Sequence, residues 1–475
     1  MKYSIAFTEK INQKAANHLN RPDGQEDLCF ALWYPSQGKV RLTALINTLI
    51  VPKAWERLVH GNTEFQPRYF ERAINQARTV KAGLALLHSH PSFGWQDMSH
   101  DDISAEQGLA AAVLAATGLP MVGLTISSDC AWSGRFWIKT APKTYKREWC
   151  ESVRVIGDGL KITRLPTKEN EHKVRPELER TVSAWGLEKQ SQLENLIVGI
   201  IGTGSVGAII GEALTRTGLK CLILLDFDSV EKANLDRLLH ATRQDADLKR
   251  AKVQVMAKAY EKSSTAERFK VEPLEYSIVE EDGFKAALDC DILFSCVDRP
   301  WPRHVLNFIA YAHLIPVVDG GIAAEANTKM TGLRRADWKA HVVGPGRRCL
   351  ACLGQYDPGL VSAERDGYLD DPSYIAGLPH DHSARRNENV FIFSLATAAL
   401  ELIHFLYLTI EPAGLSKVGA QTFHLVPSML VTGKKKAKCA PECLFPSWEA
   451  LGDRSGLTFT GRHIRAERVR AERRR

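Results

Sequence analysis

Leu196-Ile-Val-Gly-Ile-Ile-Gly-Thr-Gly-Ser-Val-Gly207 decides the fold of the larger part of this chain. An apolar run of strand length passes straight into Gly202-x-Gly204-x-x-Gly207, the spacing at which a tight turn hands a strand to a helix. Residues without side chains let backbone N–H groups and a helix N-terminus approach a phosphate closely. A second apolar run, Cys221 to Leu225, ends in Asp226-Phe227-Asp228, about twenty residues further on, where a carboxylate can hold ribose hydroxyls. Strand, glycine turn, helix, strand and acid predict half of a Rossmann-like nucleotide-binding fold, so the fold class here is α/β. A bare glycine motif suits a dinucleotide dehydrogenase equally well, and the residues downstream of it decide against that.

Asn234-Leu-Asp-Arg237 comes next, then Lys252, then Cys296-Val-Asp298-Arg299 at the end of another apolar run, with Glu179-Arg180 and Gln190 lying upstream. In this order the residues resemble the ubiquitin-activating and ThiF/MoeB-type adenylyltransferases, over residues 175 to 450. The resemblance implies ATP-dependent adenylation of the C-terminal glycine of a small ubiquitin-like or sulfur-carrier protein. It implies that Gly202, Gly204 and Gly207 cradle the phosphates, that Asp226 with Asp228 holds the ribose side, and that Asn234 orients the phosphates. Arg180, Arg237 and Lys252 would stabilise their charge and Asp298 would hold Mg2+. Arg180 would reach the nucleotide site of a second copy, so a homodimer through this domain is expected. Leu238 departs from the family, which often has glutamine there.

Four of the ten cysteines pair as Cys349-x2-Cys352 and Cys439-x3-Cys443, and four thiolates suit a tetrahedral structural zinc. Family members that pass a modifier to a thiol carry a cysteine after the first pair, whereas nothing between Cys352 and Cys439 is a cysteine. The stretch Tyr374 to His382 occupies that place and offers only histidines. The enzyme then stops at the acyl-adenylate, or Cys349 or Cys352 is a nucleophile without zinc.

The N-terminal part carries a different chemistry. Leu87-His88-Ser89-His90-Pro91 is followed by Ser99-His100-Asp101-Asp102. Two histidines and a carboxylate give three N/O ligands and leave a fourth zinc position open, the arrangement of a catalytic site. The order resembles the JAB/MPN (JAMM) metalloproteases. The resemblance makes His88, His90 and Asp102 the zinc ligands, Ser99 the oxyanion donor and Glu26, ahead of the apolar run Leu28 to Tyr34, the general base. The loop before Ser99 is one residue longer than the family pattern, which leaves Asp101 as the alternative ligand.

At 475 residues, 44% hydrophobic and 25% charged, the chain is long enough for two large domains with full cores. The expected division is a JAB/MPN-like unit at 1–150, a linker at 151–175, a ThiF-type unit at 176–450 and a basic tail at 451–475. The net charge is +7, and Gly461 to Arg475 hold seven arginines and two glutamates, so +5 of it sits in the tail. A body near neutrality offers no basic groove for nucleic acid, and the tail is expected to be a solvated, partly helical extension. No uninterrupted apolar run reaches the roughly 18 residues that span a membrane, and neither a signal-peptide core nor a disulfide framework is evident, so a cytoplasmic protein is expected. Together the halves imply processing and activation of a ubiquitin-like modifier in a bacterial-type conjugation pathway, with a conjugating enzyme as a further partner. Sulfur-carrier metabolism and a non-catalytic modifier-binding scaffold are the alternatives.

Overall fold

The computed structural model describes residues 1–60, 62–166, 174–326, 332–377, 389–435, 437–456 and 460–474. They form two compact units, one of Met1–Glu171, Ala312–Leu314 and Ser447–Gly456, the other of His172–Tyr311, Ile315–Pro446 and Leu457–Arg475.

The first unit is built on β1 (Lys2–Thr8), β2 (Leu28–Gln37), β3 (Arg41–Ile50), the small hairpin β4 (Arg57–His60) and β5 (Asn62–Phe65), β6 (Gly83–Ser89), β7 (Met121–Ile126), β8 (Trp132–Ala141), β9 (Thr144–Trp149), β10 (Ser152–Ile156) and β11 (Leu160–Arg164). Its main sheet runs β11-β10-β1-β3-β2-β6-β7-β8-β9. Successive strand residues face opposite sides, and both sides are apolar. Cys29, Ala31, Trp33, Ala85 and Leu87 join the core that includes Ala15 and Leu19 of α1 (Glu9–Leu19). Leu28, Phe30, Leu32, Leu84 and Leu86 join the core under α2 (Pro67–Thr79) and α3 (His100–Thr117). His88 continues the Leu84, Leu86 series, so it faces the α3 side.

The expected linker at 151–175 contains two strands of this unit, at 152–156 and 160–164. β10 pairs in parallel with β1 from Ser152 opposite Ser4 to Ile156 opposite Thr8, and β11 closes that edge. The alternation Val153-Arg-Val-Ile156 is a strand pattern, with Gly157-Asp-Gly159 as its turn. Ser447–Gly456 also belongs here: Asn47 donates to the Glu449 carbonyl at 3.1 Å.

The second unit has β12 (Ile197–Ile201), β13 (Cys221–Leu225), β14 (Lys270–Leu274), β15 (Ile292–Ser295), β16 (Val317–Ala326), β17 (Leu333–Val343), β18 (Gln421–His424) and β19 (Met429–Thr432). They lie in the order β14-β13-β12-β15-β16-β17-β18-β19, the first five parallel and the rest antiparallel. Around them run α4 (Glu179–Trp185), α5 (Leu187–Glu194), α6 (Ser205–Arg216), α7 (Arg243–Asp247), α8 (Lys252–Ser263), α9 (Glu281–Ala287), α10 (Pro300–Ala312), α11 (Gly359–Arg365), α12 (Pro372–Gly377), α13 (Phe391–Thr409) and α14 (Ile464–Arg473). This is a Rossmann-like sheet extended on one side by an antiparallel set, with ligands expected beyond the carboxyl ends of the parallel strands.

Among the described residues α13 alone is long and apolar enough to cross a membrane, at 19 residues. It packs on β16, β17 and α6 and buries Glu401 and His404 within this unit. The basic tail is not a solvated extension. Ala466 is fully buried, and the Arg470 and Arg473 side chains are 15% and 11% exposed in ion pairs with Glu280 and Glu275. Charge counting missed that these arginines have carboxylate partners far away in sequence.

Candidate functional sites

In the first unit the end of β6 presents His88 and, after it, His90 to the N-terminus of α3. His88 Nε2 and His90 Nε2 are 3.2 Å apart, His90 Nε2 is 3.2 Å from Asp102 Oδ2, and His88 Nε2 is 3.4 Å from Asp102 Oδ1. Ligands about 2.0–2.1 Å from a tetrahedral zinc stand about 3.3 Å from one another, so this donor set fits that ion. Asp102, not Asp101, joins the histidines. Burial alone would raise the Asp102 carboxyl, but hydrogen bonding by His88 and His90 pulls it well below the usual carboxylate range.

Ser99 caps α3. Its hydroxyl donates to Asp102 Oδ2 at 2.7 Å and accepts from the Asp102 N–H at 3.1 Å, while its own N–H donates to Oδ2 at 2.8 Å. Here the serine fixes the carboxylate and α3 in one capping box. Glu26 is half-buried. Burial raises its carboxyl, opposed by the nearby His90 and His88 imidazoles. Its carbonyl accepts from Thr63 of β5, and its neighbour Asp27 is buried against Arg57 and Arg21.

Behind His88 lies a network that no motif announces. Thr125 Oγ1 is 3.2 Å from His88 Nε2 and accepts from Arg135 Nη1 at 2.7 Å. Arg135 is fully buried and paired with Glu106, which also accepts from Trp137 Nε1 at 2.6 Å. The only signal was an arginine on an inward-facing strand position beside Trp137.

In the second unit two of the three glycines are required by contacts within the chain. A Cβ on Gly202, at φ 94°, would stand 2.5 Å from the Cys296 carbonyl, and one on Gly207 would stand 2.0 Å from the Gly202 carbonyl. Among the described residues nothing lies within 4 Å of a Cβ built on Gly204, the residue that opens α6. The helix N-terminus is therefore open to an anion there. Asp226 is buried and committed to the loop, accepting from Thr203 N at 2.8 Å, Thr203 Oγ1 at 3.1 Å and Asp228 N at 2.8 Å.

Lys252 begins α8 and reaches Asp228 Oδ2 at 3.1 Å. Burial would lower this lysine, but Asp226 and Asp228 outweigh it and raise it, so it stays charged. Asp298, exposed just past β15, also acts on Lys252, and its carboxylate at that strand end suits a hard divalent ion. Asn234 Oδ1 caps its own turn by accepting from Glu231 N at 3.1 Å. Arg237 is turned to the Ala233 carbonyl at 2.6 Å and to Asp236 at 2.7 Å. Leu238 is a core residue. Arg180 lies exposed on α4. Asn389, which sequence reasoning passed over, donates to Ser205 Oγ at 3.1 Å beside the glycine loop.

Cys349, Cys352, Cys439 and Cys443 place their sulfurs within 4.8 Å of one another. Backbone N–H groups of Cys349 and Cys352 point at Cys439 and Cys349 sulfurs, at 3.2 and 3.3 Å. Hydrogen bonding from Cys349 leads the effects that lower the Cys439 thiol, and four sulfurs so gathered suit a tetrahedral zinc. The stretch proposed for a nucleophile is described only through Gly377, and His380 and His382 lie outside the described residues.

Residues 178–368 match the model of the ThiF family. The second unit carries a ThiF-type domain. The ubiquitin-like modifier-activating enzyme 5 of Drosophila willistoni is 29% identical over 180 residues, 35% of this chain and 40% of that protein. Its Gallus gallus counterpart is 32% identical over 128 residues, 24% of this chain and 31% of that protein. The chain thus spans less than half the length of these curated relatives. The crystal structure of E. coli MccB with ATP superposes with a TM-score of 0.43 at 16% identity, over 58% of this chain and 75% of that one. That of SeMet PaaA gives 0.40 at 16% identity, over 57% and 84%. In the ThiF-type domain the glycine loop, the Asp226–Asp228 strand end and Lys252 lie inside the matched stretch, whereas the second cysteine pair and α14 lie beyond it.

Proposed function

We propose that the ThiF-type domain adenylates the C-terminal glycine of a small ubiquitin-like protein. The observation that carries this reading is a charged, half-buried Lys252 paired with Asp228 and kept charged by Asp226, beside the glycine loop. A carboxylate oxygen of the modifier attacks the α-phosphorus of ATP, the bond from that phosphorus to the α–β bridging oxygen breaks, and pyrophosphate leaves. Lys252 and the α6 N-terminus stabilise the charge that develops. Mg2+, held by Asp298, would neutralise phosphate oxygens. Arg180, exposed on α4, fits a role in the site of a second copy of the chain.

The first unit is, on this reading, a JAB/MPN-type hydrolase of the bond after the same glycine. A zinc ion held by His88, His90 and Asp102 would supply Lewis acidity. Glu26 accepts the proton of the attacking water and returns it to the leaving amine, so the products are a carboxylate and an amine. The pair would serve a bacterial-type conjugation pathway in the cytoplasm. Gathering all four paired cysteines into one cluster favours release of the acyl-adenylate to a thiol on another protein, such as a conjugating enzyme, or to sulfur transfer.

The test is exchange of labelled pyrophosphate into ATP. It should require a glycine-ended partner and vanish in Lys252→Ala. Exchange that persists in that variant, or binding of NAD in place of ATP, overturns the reading.

A further inference from the structure

α14 carries two kinds of arginine. Arg470 and Arg473 are anchors: Arg470 donates to Glu280 Oε1 at 2.5 Å, to Glu280 Oε2 at 2.9 Å and to the Glu275 carbonyl at 3.0 Å, and Arg473 donates to Ser229 Oγ and Glu275 Oε2, both at 2.8 Å. Both side chains are largely buried in these contacts. Arg465 differs. Its guanidinium stands 3.7 Å from Asp228 and 3.7 Å from Asp370, across the ring of Phe227. Those are ion pairs too long for hydrogen bonds, and no hydrogen bond to another described residue uses its donors.

Asp228 is the same carboxylate that holds Lys252, and Asp370 also meets Arg299, the residue after Asp298, at 3.2 Å. A single run of charges therefore passes from Lys252 through Asp228, Arg465 and Asp370 to Arg299. On its outer side is a cleft of about 580 Å3 lined by Arg299, Arg465 and Arg468 against one acid, Asp370, over Leu369 and Ile375. Three guanidiniums against one carboxylate leave a formal charge of +2 in a cleft that shares Arg465 with the run of charges leading to Lys252. Arg237, meanwhile, is turned to its own turn carbonyl and to Asp236.

We propose that Arg465 and Arg468 of α14, with Arg299, form an anion subsite that takes the polyphosphate of ATP and holds pyrophosphate as it leaves. The inference rests on the adenylation reading. It makes the C-terminal helix a wall of the nucleotide site supplied in cis. Planar guanidiniums bind phosphate oxygens in a forked geometry that a lysine does not reproduce.

The experiment is calorimetric titration of the full chain with ATP and, separately, with inorganic pyrophosphate. Arg465→Ala and Arg468→Ala should each weaken pyrophosphate binding about tenfold, the loss of one charge-assisted contact, and Arg465→Lys should recover only part of it. Arg468, exposed and outside the anchor set, gives a variant whose folding is not at stake. Unchanged pyrophosphate affinity in both alanine variants overturns the subsite and leaves adenylation standing. Tighter binding in either, or in a chain ending at residue 459, overturns it also, because α14 would then obstruct the site. A wild-type chain that binds neither ATP nor pyrophosphate overturns the adenylation reading and the subsite together.

Discussion

Replacing Glu106 by alanine should unfold the first unit at a much lower temperature and loosen its metal site. Glu106 and Arg135 are both fully buried, and the carboxylate accepts from Arg135 Nε at 2.9 Å, from Arg135 Nη2 and from Trp137 Nε1 at 2.6 Å. Removing one partner strands a guanidinium with no water to solvate it and leaves the indole N–H unpaired. Breaking a buried pair in this way costs about 3–5 kcal/mol, and for a unit of this size each kcal/mol moves the midpoint by about 2–4 °C. The expected drop is therefore about 6–20 °C.

Differential scanning calorimetry on the full chain reads it, since the second unit should melt where it did. The loss should also reach the metal site, because Arg135 holds Thr125, and Thr125 holds His88. Zinc content after dialysis against a weak chelator should fall in Glu106→Ala and in Thr125→Val, the second with a far smaller thermal shift. Glu106→Gln, which keeps shape and one acceptor, should lie between wild type and alanine. A shift below about 3 °C in Glu106→Ala would refute the claim that this pair carries an uncompensated charge when broken.

Three further outcomes are expected. Glu26→Gln should keep wild-type zinc yet lose cleavage of a fusion placed after the modifier's terminal glycine, and Asp102→Ala should lose zinc while Asp101→Ala keeps it; metal indifferent to both aspartates means that the three-ligand site is wrong. Replacing Cys352 and Cys443 together by serine should remove about one zinc per chain by elemental analysis and destabilise the second unit, whereas a reducible thioester that needs Cys349 or Cys352 in a folded, zinc-free protein would point to a nucleophile instead. Burial raises Glu364 to about 7, so the folded state holds a proton there that the unfolded chain releases near 4.5; that stability is present below about 4.5 and is lost as pH rises to about 7. Glu364→Gln should accordingly stabilise the second unit by about 1–3 kcal/mol at pH 8 and little at pH 4, and equal effects at the two pH values in calorimetry would rule this out.

The two sites differ in how far they can be read from the chain, and the difference is physical. The glycine loop, Asp226 and Lys252 belong to consecutive strand–helix units, so short-range pattern places them together. There Asp226 accepts from Thr203 and Asp228 within the loop, while Asp228 meets Lys252 and Arg465. His88 and His90 are two apart at a strand end and Asp102 opens the next helix, which again is local. Thr125 and Arg135 belong to the local β7–β8 hairpin, but Glu106 comes from α3 and His88 from β6, which pack against that hairpin only in the fold. No spacing rule encodes that.

The tail shows the same limit from the other side. Counting seven arginines in the last fifteen residues treats charge as a property of the segment, and a segment alone would stay solvated. Charge in a folded chain is settled by pairs, and the partners of this helix are Asp228, Glu275, Glu280 and Asp370, scattered through the sequence. Two arginines paired with Glu280 and Glu275 fix the helix, and Arg465 is thereby held at 3.7 Å from two carboxylates. A solvated tail would have to order itself before contacting a phosphate, at a cost of about 1–2 kcal/mol for each residue of backbone. A docked one has met that cost in folding, so its arginines are placed before any nucleotide arrives.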